Sequence, residues 1–256
     1  MERLTQKSSG LSANALRTWG ILMLAAGIIS RSILQNQLLG MEGGTTGLLE
    51  LISADPNAMT IASVALVLQA LESCAIPIFA FLLLEGLQHT ADFLKYLLRI
   101  AGTALLSELP YNLAIGGKVF DLSSRNPVFG LVLCMILVWF YRRYAEKSLA
   151  HVLVRILVTF MGLLWISMLS IDHGVSTLLV FCGLWIFRRK PLFRNLAGTS
   201  AAILSSLVSP FYLASPLSFL AIHFYNEEPG NGSRLRNYLA YPILLLATGL
   251  AAKFLF

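Results

Sequence analysis

Long apolar runs separated by short polar stretches set the pattern of the chain. The runs fall at about 16–39, 59–88, 96–116, 127–141, 152–170, 174–187, 195–208, 211–225 and 237–256. A helix needs about 20 apolar residues to cross a bilayer. The pattern therefore predicts an all-α, polytopic transmembrane helix bundle of about 8–9 spans, in a single integral membrane domain. Several runs fall short of that length, so tilted or partly re-entrant segments are expected. The second run is too long for one straight helix. Pro77 near its middle is expected to kink it. Its first half, MTIASVALVLQALES, could be a separate interfacial or partial helix.

Charge sharpens this picture. Of the 256 residues, 57% are hydrophobic and 12% are charged. A soluble domain carries about twice that charged fraction. The net charge of +6 could suggest nucleic acid, but its placement argues for a bilayer as the partner. Basic residues cluster between apolar runs: Arg3, Lys7 and Arg17; Lys95 and Arg99; Arg142, Arg143 and Lys147; Arg188, Arg189, Lys190 and Arg194; Arg234 and Arg236. The loop at 40–58 carries Glu42, Glu50 and Asp55 and no Lys or Arg. The alternation predicts a multi-pass protein of the cell membrane with its N-terminus in the cytoplasm. Lys118 and Arg125 fall on the outer side against this trend.

The N-terminal MERLTQKSSGLSANALR is polar and lacks an A-x-A-like cleavage site, so the first run reads as a retained helix. Cys74, Cys134 and Cys182 all lie inside apolar runs with no CxxC spacing. They read as small apolar fillers; no metal and no disulfide is expected. The segments Gly40–Gly47 and Gly230–Gly232 read as ordinary loops without a phosphate-loop pattern.

Polar residues inside the apolar runs are the candidates for chemistry. An ionised side chain at mid-membrane costs about 2.5–3.5 kcal/mol on insertion scales and marks a functional site by default. Arg31 lies within the first run. Glu85 and His89 are four residues apart and share a helix face, although both could sit among headgroups. Glu108 precedes Pro110, Tyr111 and Asn112; it is either functional or a structural ion-pair partner of Arg125. Arg125 and Asn126 precede Pro127. Asp172 and His173 form a natural acid–base pair between two runs, yet adjacent residues on a turn point in different directions. His151 reads as an interface residue, and His223 fits either role. The tryptophans Trp19, Trp139, Trp165 and Trp185 read as interface anchors or packing.

On the topology above, Glu108, Asn112, Asp121, Arg125, Asn126, Asp172 and His173 form a polar belt near the outer leaflet. Glu85, His89, Arg99, His223, Asn226 and Arg236 form another near the inner one. Two such belts suit a protein that takes a substrate from each side.

Several strings carry a resemblance. PIFAFLLLEGLQHT (77–90), KYLLR (95–99), LLSELPYNLA (105–114), SRNPVFGLVL (124–133) and IDHGV (171–175) closely resemble the TraX family in order and spacing. That family is named after a conjugation protein that acetylates the N-terminus of pilin, and it is grouped with membrane acyltransferases. The resemblance implies acetyl-CoA as acyl donor and an acceptor protein or small molecule reached at or across the membrane. It implies a general base, donors for an oxyanion, and basic residues for the coenzyme A phosphates. Carried over, Glu108 and Asp172 are catalytic candidates; His173 joins them as a local substitute, because the family often reads Asp-Tyr-Gly at this point. Glu85, His89, Arg99, Asn112, Arg125, Asn126 and His223 are the binding candidates.

The chain departs from the family at two places. The family's first helix typically carries an Asp-His pair, where Gly27 and Ile28 stand here. The family's C-terminal helix often reads YP-H, where Tyr241-Pro242-Ile243-Leu244 stands here. Three readings follow: an acyltransferase whose base has moved to His173 or His223, an inactive homologue that binds a ligand or partner in the same cavity, or a small transporter using the buried acids. The chain lacks paired Pro/Gly-broken helices in two halves, which weakens the third.

Overall fold

The computed structural model describes residues 10–41 and 56–255. Arg3, Lys7, Glu42, Glu50 and Asp55, on which part of the charge alternation rests, lie outside the described residues. The described chain is a helix bundle without strands. Helix α1 (Ala13–Ile29) begins on Ser12, whose side chain accepts the Ala15 N–H, and runs on into a wide-turned π segment, Ser30–Leu38. Then come α2 (Pro56–Ser73), α3 (Ala75–His89), α4 (Phe93–Gly116), α5 (Val128–Arg143), α6 (Leu149–Met168), α7 (Gly174–Ile186) and α8 (Pro191–Leu204). A 3₁₀ stretch, Pro210–Leu217, leads to the one-turn-and-a-half α9 (Ser218–His223), and α10 (Arg234–Leu255) ends the bundle.

Local chemistry explains the boundaries. Asp92 caps α4 by accepting the Lys95 N–H at 3.0 Å, and that bond chiefly holds its carboxyl below its usual range. The long second run breaks at Cys74, three residues before Pro77, because the proline ring cannot coexist with a helical carbonyl four residues back. The first half is thus a helix of its own, as one reading of the sequence had it. The run at 211–225 is not a spanning α-helix. Pro210 and Pro216 supply no N–H to an α ladder, and the chain there tightens into 3₁₀ turns.

The core forms where α3, α5 and α7 meet, around Phe81, Leu84, Met135, Leu178, Phe181 and Leu184. A second cluster joins α1, α3, α4 and α10 through Ile28, Ala75, Tyr111 and Leu245. Outside these clusters many large apolar side chains are exposed. Only 11% of the most apolar window of α6 is buried within the protein, so most of that apolar face is left uncovered by the rest of the bundle. Among the described residues three stretches are long and apolar enough to cross a membrane: Ala13–Leu38, Pro56–His89 and Leu149–Met168. Helix α7 is apolar but shorter, and α4 carries Lys95, Arg99 and Glu108.

Candidate functional site

The costliest polar groups meet at one place. Arg31, on the π segment, donates to Glu72 of α2 and to Asp172 on the α6–α7 turn, each at 2.5 Å. The wide π turn is what aims Arg31 between these two acids, and such segments recur at functional sites. Asp172 also accepts from the Tyr111 hydroxyl at 2.9 Å. The imidazole of His173 completes the group. Its Nε2 lies 3.5 Å from Glu72 Oε1 and 3.6 Å from Asp172 Oδ1, and its Nδ1 is 2.8 Å from the Tyr212 hydroxyl. Adjacent residues on this turn therefore do converge. They can do so because His173 adopts the left-handed backbone conformation, φ 54°, as the residue before α7. Histidine tolerates that region better than most residues. Gly174 follows because a side chain there would strike Ile166.

Two carboxylates, one guanidinium and one imidazole balance when His173 carries a proton. With the imidazole neutral the group carries one net negative charge, which a proton arriving on His173 would cancel.

Glu72 was not among the sequence candidates. Its side chain is 3% exposed. The cost of a lone Glu inside the 59–88 run was the signal that could have found it. A side chain at Gly27 would overlap the Glu72 carboxyl. The space beside α1 at this level therefore belongs to an acid delivered from α2.

A cavity of about 360 Å³ reaches this group from the other end of the bundle. His173, Thr177 and Tyr241 line its inner end. Phe79, Leu82, Leu83 and Leu131 form an apolar waist. Arg17, His89, Tyr96, Arg99 and Tyr238 line its mouth. The fourteen-residue step from Arg17 to Arg31 along the first helical stretch spans roughly 20 Å at 1.5 Å per residue.

The other candidates divide. Arg125 pairs with Glu108 at 2.9 Å, and Asn126 donates to Glu108 at 2.6 Å and to the Ala104 carbonyl at 2.9 Å. This second group braces the first: the Arg125 N–H donates to the Ser170 carbonyl and the Asp172 N–H donates to the Arg125 carbonyl. Asn112 is buried with its side-chain oxygen unpartnered. Glu85 and His89 sit 3.5 Å apart near the mouth, and Arg194 of α8 reaches Glu85 at 3.4 Å while stacking on Phe81. Arg99 is exposed and lines the mouth. His223 is exposed at the end of α9, against Phe224, and is brought neither to the cavity nor to the buried group. Among the described residues no group of three or more His, Cys, Asp or Glu is arranged to hold a metal ion.

The profile of the family described as TraX protein matches residues 53–251. The chain belongs to the TraX family. No curated protein and no solved structure matches it. The TraX match contains Glu72, Tyr111, Asp172, His173 and Tyr212, but it begins after α1. Gly27, Ile28 and Arg31 thus lie on the part of the chain that the match leaves out. Family membership and the apolar helices together make this a membrane protein.

Proposed function

We propose that the chain is a multi-pass membrane acyltransferase that moves an acetyl or other acyl group from coenzyme A to an amine or hydroxyl acceptor at the membrane. The observation that carries this reading is the cavity itself. It has a basic, aromatic mouth, an apolar waist and a buried imidazole at its end. A thioester donor has the matching sequence of parts: anionic phosphates, an uncharged arm, and an acyl group at the tip. On the positive-inside reading, with N-terminus cytoplasmic and about 8–9 spans or partial spans, the mouth faces the cytoplasm. The His173 group then lies toward the outer leaflet, where an acceptor arrives.

The chemistry needs only residues in place. The acceptor's nitrogen or oxygen attacks the thioester carbonyl while His173 takes its proton. The carbon–sulfur bond breaks and the thiolate receives that proton, giving an acylated acceptor and free coenzyme A. Glu72 and Asp172 stabilise the imidazolium that forms between these steps. Arg31 holds both acids in place through its ion pairs. The Tyr241 hydroxyl lines the same end and is a candidate donor to the oxyanion. In this reading the acid and imidazole that the family resemblance puts on the first helix come instead from α2 and the α6–α7 turn. Glu108, the other catalytic candidate, is a brace for that turn.

The test is turnover of acetyl-CoA labelled in the acetyl group by purified protein in detergent, with peptide amines and glycolipid hydroxyls as acceptors. Coenzyme A release that His173→Ala abolishes supports the reading. Saturable binding with no release over any acceptor favours an inactive homologue instead, and absence of both removes acyl-CoA as ligand.

A further inference from the structure

We infer that a second cavity, next to the mouth, is a phosphate-binding chamber for the nucleotide end of the donor; this rests on the acyl-CoA reading above. The chamber has a volume of about 260 Å³ and lies between α1 and α10. Asn14, Arg17, Thr18, Arg236 and Asn237 supply its polar lining. Arg17 and Asn237 line the large cavity as well, so the two spaces share a wall. Ile21, Leu22 and Ala240 complete the lining of the chamber, and the shared wall sets its polar side next to the mouth of the main cavity.

The chamber is chemically suited to an anion. Among the described residues no carboxylate pairs with Arg17 or Arg236. Arg236 instead touches only neutral oxygens, Asn14 Oδ1 at 3.5 Å and the Asn231 carbonyl at 3.4 Å. Arg125 and Arg194 by contrast pair with carboxylates, Glu108 and Glu85. Basic residues at a cytoplasmic edge would serve topology from any exposed position. Arg17 is half-buried between two cavities, which topology does not require.

The wall of the chamber is also fixed in place. The Ala13 and Asn14 N–H groups donate to the Glu228 and Pro229 carbonyls, and Asn226 N–H donates to Leu11. Gly232 lies where a side chain would strike Asn14 Oδ1 and crowd the Arg236 guanidinium. The glycine loop that looked ordinary in the sequence is thus what lets Asn14 and Arg236 meet. Guanidinium forks that face no carboxylate and sit on a rigid frame suit bidentate binding of phosphate.

The consequence is a statement about the donor. A donor that carries phosphates beyond its pantetheine arm, as coenzyme A does, gains affinity here. A pantetheine thioester without phosphates gains none.

Binding to the full-length protein in detergent tests this with three probes: acetyl-CoA, S-acetylpantetheine, and adenosine 3′,5′-bisphosphate. Arg236→Gln, at an exposed position, and Arg17→Gln are each expected to weaken acetyl-CoA and the bisphosphate roughly tenfold, the cost of one charge-assisted contact. Arg236→Gln leaves S-acetylpantetheine unchanged. Equal losses for acetyl-CoA and S-acetylpantetheine would overturn the chamber while leaving the acyltransferase reading intact. So would displacement of the bisphosphate by phosphatidylglycerol micelles, which would make the chamber a lipid-headgroup site. Arginine-dependent binding of the bisphosphate without any acetyl-CoA turnover would uphold the chamber and count against acyl transfer.

Discussion

Two places in this bundle combine the same residue types. Toward one end, Glu72 and Asp172 meet Arg31 and His173; toward the other, Glu85 meets Arg194 and His89. Residue identity does not separate them, but setting does. His173 is 15% exposed and His89 is 71% exposed. His173 closes a cavity, with two carboxylates and a tyrosine around it, whereas His89 stands at a mouth open to solvent. Arg194 bridges α3 and α8 and stacks on Phe81, which is a packing role. On the acyltransferase reading, a charged group does proton chemistry where its imidazole is shielded and faces a cavity, and it clamps helices where it is not. Each experiment below pushes on that distinction.

The largest effect belongs to His173. His173→Ala should lower acyl transfer by about 10²–10⁴-fold, the usual contribution of a general base, with acetyl-CoA binding retained. Single-turnover release of coenzyme A measures it. A rate within about threefold of wild type would remove His173 from the mechanism and return the candidates to Glu108 and Asp172.

Glu72 comes next, because it separates charge from shape. Glu72→Ala leaves Arg31 with half its partners in a buried setting, which costs about 3–5 kcal/mol. Glu72→Gln keeps the volume and a hydrogen bond to Arg31, so it should fold better than the alanine variant yet transfer poorly. Thermal unfolding in detergent alongside turnover reads both. Similar unfolding and full activity for both variants would show that the acid is dispensable.

Gly27→Ala tests the same acid from the opposite helix. The added methyl overlaps the Glu72 carboxyl and must push it off Arg31. Overpacking of this kind costs about 1–3 kcal/mol. The expected result is a lower unfolding temperature with a loss of turnover that tracks Glu72→Gln.

How much of this could be read beforehand depends on the kind of signal. The helices were legible because an apolar run of bilayer length has few alternatives, and the starts of α5, α7 and α10 fall within three residues of the runs. The 3₁₀ stretch at Pro210–Leu217 was not, because an apolar run carries no sign of turn geometry and two prolines weigh little in a hydropathy window. Asp172 and His173 were legible as costly neighbours. Their convergence was not, because it depends on a positive φ at His173 that sequence does not display. Glu72 was overlooked within a run judged by its average. Tyr111, Tyr212 and Tyr241 gave no signal, since a tyrosine in an apolar run is ordinary packing until its hydroxyl finds a partner.

The smallest effect belongs to the exposed member of the comparison. His89 sits 3.5 Å from Glu85, but most of its side chain is in contact with solvent. Exposed pairs of this kind contribute about 0–1 kcal/mol because solvent screens the charge and ordering two side chains costs entropy. His89→Ala should therefore change unfolding by less than about 0.5 kcal/mol. Glu85→Ala should cost more, because it also strips Arg194 of its carboxylate partner at a site where both side chains are about one-tenth exposed. The ordering of these two variants by thermal unfolding is the decisive readout. If His89→Ala proves as costly as Glu85→Ala, the imidazole is part of a buried network after all, and exposure no longer separates the two ends of the bundle.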